Sequence, residues 1–120
     1  MPAVYKEKRK HPRFPCDAGV EVRPENGKFG NWGTLADISV GGCYIYTFSP
    51  LPIDTTVVLN IKARDTEISV LARTVTFHPG VGMGVEFKGF AQEEGAVRLK
   101  KLLDVLEHEP KRPDTLEVIH

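Results

Sequence analysis

The sequence predicts an all-β domain with one helix: a small six-stranded antiparallel β-barrel followed by a C-terminal amphipathic helix. Three observations carry this reading. Nine of the 11 glycines lie between Gly19 and Gly84, among short runs in which apolar and polar residues alternate. That is how strands joined by turns read, and a helical bundle does not. From about Ala91 the apolar period changes from two to between three and four residues, which marks a helix. The length, 120 residues, suits a single domain with one core.

The elements follow in order. Val20 and Val22 alternate with Glu21 and Arg23, and the Asn26-Gly27 pair after Pro24-Glu25 is a strong hairpin signal, because both residues tolerate positive φ. Phe29 to Ser39 reads as a second, less regular strand, and Gly42 to Thr47 is rich in β-formers. Val57, Leu59, Ile61 and Ala63 share one face of the next strand, Arg64-Asp65-Thr66 turns, and Ile68, Val70 and Ala72 begin the return. The phase then shifts at Arg73-Thr74 so that Val75 and Phe77 carry the apolar face. A strand of period two changes face only by an extra residue, so a bulge is expected there. His78-Pro79-Gly80 turns again, and Val81, Met83, Val85 and Phe87 form the last strand. Leu99, Leu102, Leu103 and Leu106 make the helix stripe, with Gly95 weakening its start and Pro110 ending it. The stripe is expected to cover one end of the sheet core. Residues 111–120 are open between disorder and an extra edge element.

Composition excludes several classes. The longest uncharged run, Ile38 to Ile53, has 16 residues and is broken by Gly41, Gly42, Pro50 and Pro52, so no membrane-spanning helix is expected. The first residues hold no apolar stretch that could act as a secretory signal, and a cytoplasmic location is expected. Cys16 and Cys43 stand 27 apart, and no Cys or His pair has zinc-ligand spacing. Two free thiols, no metal and no cofactor are the expectation.

Charge is informative locally. The chain is neutral overall, with 16 Lys and Arg against 16 Asp and Glu. Yet Lys6, Lys8, Arg9, Lys10 and Arg13 stand against Glu7 alone in the first 13 residues, a local net of +4 on a body of −4. A basic arm on a mildly acidic body suggests a localised anion site. Within Arg9-Lys10-His11-Pro12-Arg13, Pro12 excludes a helix interior. The two arginines can converge on one ligand, donating in a fork to phosphate or to the O6/N7 edge of guanine. Alone, such an arm is also what a solvated basic leader looks like. In Asp37-Ile38-Ser39-Val40-Gly41-Gly42, the acid and the hydroxyl two residues on would face the same way at a strand end. A carboxylate can accept both donors of the guanine N1-H/N2-H₂ edge, while the double glycine would permit a positive-φ turn and close approach by a ligand. An ordinary Asp/Ser/Gly turn accounts for this segment as well when it is taken by itself.

Arg-x-x-x-Arg, followed some two dozen residues later by Asp-x-Ser-x-x-Gly at a strand end, resembles the PilZ domain family, bacterial receptors for cyclic di-GMP. Gly82-Met83-Gly84-Val85-Glu86-Phe87 resembles the last strand of that family's split barrel, and the likeness spans Glu7 to Glu109. The resemblance implies a basic arm (residues 1–14), a barrel with its helix (15–109) and a tail (110–120). It implies that Arg9 and Arg13 grip guanine edges and phosphates. Asp37 and Ser39 would contact a guanine from the barrel side, Gly41 and Gly42 would shape the floor, and Gly84 would keep the surface open. Lys8 holds the position that in the family influences whether one ligand or a stacked pair binds. The implied function is a non-enzymatic receptor that signals to an effector protein. The alternative is a PilZ-like adaptor that binds protein partners without cyclic di-GMP. A single-stranded nucleic-acid barrel would interleave aromatic and basic residues; Phe29 to Phe48 contains Trp32, Tyr44, Tyr46 and Phe48 but no Lys or Arg, so neither DNA nor RNA is expected. Catalysis is not expected, since Cys16 near His11 lacks an orienting third group.

Overall fold

The computed structural model describes residues 11–25, 27 and 30–109. Six strands and one helix follow in order: β1 (Phe14–Pro24), β2 (Asn31–Ile38), β3 (Gly42–Tyr46), β4 (Thr56–Ala63), β5 (Thr66–His78), β6 (Gly82–Phe90) and α1 (Gly95–His108). All neighbouring strands are antiparallel, and the sheet closes on itself in the order β1-β2-β3-β6-β5-β4. Closure leaves no free sheet edge among the described strands.

Alternation decides which side chains fill the barrel. Val20, Val22, Leu35, Ile45, Leu59, Ile61, Ile68, Val70 and Met83 are all essentially inaccessible to solvent. Leu99, Leu102 and Leu106 of α1 join the same buried cluster, and the helix packs against β5 and β1. The leucine stripe therefore completes the core. Arg98 ties the helix to the sheet by donating to the Glu67 carbonyl at 2.9 Å. None of the helices among the described residues is long and apolar enough to cross a membrane.

Several boundaries differ from the sequence reading. Asn26 of the expected Asn26-Gly27 hairpin signal lies outside the described residues; β1 ends at Pro24 and β2 begins at Asn31, and the Gly27 amide closes a turn onto the Pro24 carbonyl at 2.9 Å. A two-residue hairpin forms at Arg64-Asp65, whose φ values of 49° and 64° suit a turn that needs positive φ at both positions. The β5 bulge lies one residue later than the alternation suggests: Thr74 pairs with Val85 and Thr76 with Gly84, leaving Val75 as the extra residue. Thr74 stays buried and Val75 is exposed, so Val75 does not carry the core face. Phe77 pairs with Met83 but lies near the strand end and is part-exposed. The helix begins at Gly95 rather than near Ala91, without a side-chain cap at Glu94. Phe90 packs so closely on Gly95 that an added Cβ would lie 2.7 Å from the Phe90 Cβ. The tail from 110 and most of the basic arm, with Lys8 and Arg9, fall outside the described residues.

Candidate functional site

The outward-facing row that crosses the barrel at Asp37 owes its composition to a bulge in β2. Leu35 pairs with the buried Ile45, whereas Asp37 pairs with Tyr44, which makes Ala36 the extra residue. The β1–β2 register slips at the same point, between Pro15 and Ala18. Without the slip Asp37 would share the core-facing side of Leu35; with it, Leu35 and Ile38 face in and the carboxylate turns out. The row then runs Pro15, Asp37, Tyr44, Gly84, Thr76 across β1, β2, β3, β6 and β5.

Arg13 enters this row from the arm. Its Nη1 donates to Asp37 Oδ1 at 3.4 Å, with about a third of each side chain exposed. His11 lies beside the β2–β3 turn, where a Cβ added to Gly41 would come 3.4 Å from its Cδ2. The end of the arm thus runs alongside Asp37 and the turn after it.

That turn is held by Ser39. Its hydroxyl accepts from the Gly41 amide at 3.1 Å and donates to the Gly42 carbonyl at 3.3 Å, and its own amide donates to the Gly42 carbonyl at 2.8 Å. Ser39 lies past the end of β2 and is buried, in contrast to part-exposed Asp37. Neither Gly41 nor Gly42 has positive φ, so the double glycine is not needed for a left-handed turn. Gly42 is required by crowding: an added Cβ would lie 2.2 Å from the Val85 carbonyl oxygen on β6. The Gly41 carbonyl accepts from the Phe87 amide at 2.8 Å and fixes the turn to β6.

Gly84 lies two strands from Asp37, about 10 Å at ordinary strand spacing, with Tyr44 between them. The space beside it is occupied, since an added Cβ would meet Thr76 Cβ at 3.2 Å and Tyr44 Cδ1 at 3.6 Å. Tyr44 was not a site candidate from sequence, yet it stands directly beside Asp37. Its hydroxyl is 2.7 Å from His78 Nδ1, and its ring meets Tyr46 edge-on at 5.7 Å. Burial pushes the Tyr44 phenol above its ordinary pKa. The signal for its outward orientation was its place between the core residues Cys43 and Ile45; its pairing with Asp37 depended on the bulge.

The charged groups around the row are largely paired. Glu86, opposite Gly42, is bound by Lys88 at 3.2 Å and by Arg73, which also pairs with Asp54. Lys88 and then Arg73 hold the Glu86 carboxyl below its ordinary range. Just inside, Cys43 is fully buried, and burial followed by the Asp37 charge drives its thiol pKa far upward.

The fold is thus a closed six-stranded barrel with an arginine–carboxylate pair on its outer face, where Arg13 meets Asp37. The chain matches the PilZ domain over residues 7–104 and belongs to that family. Similar solved structures include the PilZ domain of CeSA from a cellulose-synthesizing bacterium, at 23% identity and a TM-score of 0.62, covering 81% of this chain and 99% of that one. The MrkH–c-di-GMP complex of K. pneumonia is 25% identical with a TM-score of 0.66, covering 82% of this chain and 51% of that one. The PilZ domain of Escherichia coli YcgR with c-di-GMP is 11% identical with a TM-score of 0.63, covering 83% and 92%. Thus the chain spans about half of MrkH and nearly all of the two isolated domains. Among curated proteins, no sequence matches.

Proposed function

We propose that this protein is a cyclic di-GMP receptor in which the basic arm, residues 1–14, closes over a nucleotide seated on the outer face of the barrel. The observation that supports it most is the meeting of Arg13 and Asp37 at 3.4 Å. A cation and a carboxylate with complementary uses for guanine converge on one patch, from segments 24 residues apart. In the proposed complex Arg9 and Arg13 donate to guanine edges and phosphates, and Asp37 accepts from the N1-H/N2-H₂ edge. Lys8 adds positive charge ahead of the pair. Ser39 acts through the turn, holding Gly41 and Gly42 as the floor, and Gly84 lies at the far side behind Tyr44.

Ligand entry exchanges one pairing for another. A partly exposed Arg–Asp pair contributes about 0–1 kcal/mol, whereas a bidentate Arg–guanine contact discriminates by about 1–3 kcal/mol. Opening the existing pair therefore costs less than the new contacts return, and several such contacts are compatible with affinities around micromolar, about −8 kcal/mol. The protein is proposed to act without catalysis or a cofactor, in the cytoplasm, by presenting an altered arm surface to an effector protein. The reading as an adaptor without nucleotide draws on the exposed Trp32, Tyr46, Phe48 and Val81 around an uncharged cleft.

Calorimetric titration with cyclic di-GMP separates the two readings. The receptor binds, more weakly as salt is added, and Arg13→Ala loses about ten- to hundredfold in affinity. No binding by the wild-type protein overturns the receptor reading, and an unchanged isotherm for Arg13→Ala removes that residue from the site.

A further inference from the structure

We infer that Tyr44 is the platform on which one guanine of the bound dinucleotide stacks, an inference that rests on the cyclic di-GMP reading above. Its position is the first argument. Tyr44 is the register partner of Asp37 on β3, and facing side chains on adjacent strands start only about 5 Å apart at Cβ. A purine whose donor edge is turned to the Asp37 carboxylate must lie over something close by on the outer face, and β3 places an aromatic ring there.

The second argument is that the ring is held in place before any ligand arrives. It rests over the glycines of β6: an added Cβ at Gly82 would lie 2.9 Å from Tyr44 Cε2 and 3.1 Å from its hydroxyl oxygen, and one at Gly84 would lie 3.6 Å from Cδ1. Side chains at Gly82 would push the ring away, so the bare backbone is what lets it lie across β6. The hydroxyl reaches beyond β6 to His78 on β5 at 2.7 Å, and Tyr46 fixes the ring from the side, with planes inclined at 76°. Held on these sides, the ring loses little conformational freedom on binding, and preorganisation of this kind favours affinity.

The third argument is what the ring does not do. It lies outside the barrel, is only part-buried, and is absent from the core cluster. Its polar group is already satisfied by His78, so the π surface is what it has to offer a ligand. Aromatic rings pair offset or edge-on, and every nucleobase presents a flat face to such a platform. Asp37 then selects guanine and Tyr44 contributes base-independent affinity.

The test follows guanine H8 by proton NMR during titration of the full-length protein with cyclic di-GMP, together with calorimetry of Tyr44→Phe and Tyr44→Leu. Stacking moves a guanine H8 signal upfield in the wild type. Tyr44→Phe keeps that displacement and binds within about threefold of wild type, because the ring remains. Tyr44→Leu loses the displacement and binds roughly five- to hundredfold more weakly. A wild-type complex without the upfield displacement overturns the inference even if Tyr44→Leu fails to fold. So does a folded Tyr44→Leu that binds as the wild type does. In both of those cases the nucleotide still binds and the receptor reading stands. Absence of any binding by the wild-type protein removes both.

Discussion

Asp37 faces outward because Ala36 is an extra residue in β2, and the candidate site depends on that one insertion. Arg13 and Asp37 could be nominated from their spacing and order along the chain, since a forked cation and a carboxylate each have several possible partners when taken singly. The role of Ser39 could not. A hydroxyl two residues from an acid at a strand end reads as a co-ligand, and only the turn geometry shows it bonded to the Gly41 amide and the Gly42 carbonyl. Tyr44 was visible as an aromatic but not as a neighbour of Asp37, since that pairing is set by the bulge. The same scale yields a prediction for the two thiols. Cys16 and Cys43 are each 2% exposed and both thiols are raised in pKa, chiefly by burial. The thiolate is the reactive form, so neither should react with Ellman's reagent at pH 8 in the native protein, and both should react in guanidinium. Fast native labelling of either would show that the barrel opens at that end.

Strand placement was largely legible because Val57 to Ala63 and Met83 to Val85 alternate without interruption, and the period of two has one geometric meaning. Irregularities were not. The face change near Arg73-Thr74 was detectable as a break in alternation, but the extra residue is Val75, because buried Thr74 bonds the Thr55 carbonyl and keeps the earlier phase. The helix start was obscured by Gly95, whose missing side chain admits Phe90. Two glycines offer a controlled comparison. Gly42→Ala forces a Cβ to 2.2 Å from a β6 carbonyl oxygen and should destabilise the fold by about 1–3 kcal/mol or more. At Gly89, an added Cβ meets nothing within 4 Å and φ is not positive. Gly89→Ala should be neutral or stabilising by up to about 1 kcal/mol, through the unfolded chain. Urea denaturation of the two variants measures both; equal effects would refute the crowding argument at the β3–β6 seam.

At the scale of the whole molecule, the sequence pattern pointed to a barrel with a helix without setting the strand order. The pairings β1 with β4 and β3 with β6 join segments distant in the chain, and alternation carries no information about which strands meet. Closure in the order β1-β2-β3-β6-β5-β4 is what brings Asp37, Tyr44 and Gly84 into one outward row. It places the β4–β5 hairpin and α1 elsewhere, packed with β1 and β5. In the proposed complex the body of the protein remains fixed while the arm responds to the ligand.

That division is open to direct measurement by mapping backbone amide shifts during titration with cyclic di-GMP. The account predicts that the perturbed amides cluster at His11, Arg13 and the Asp37-to-Tyr44 segment, while Lys62 to Glu67 and α1 stay unchanged. Shifts centred on the β4–β5 hairpin or the helix, or no shifts at saturating nucleotide, would contradict it.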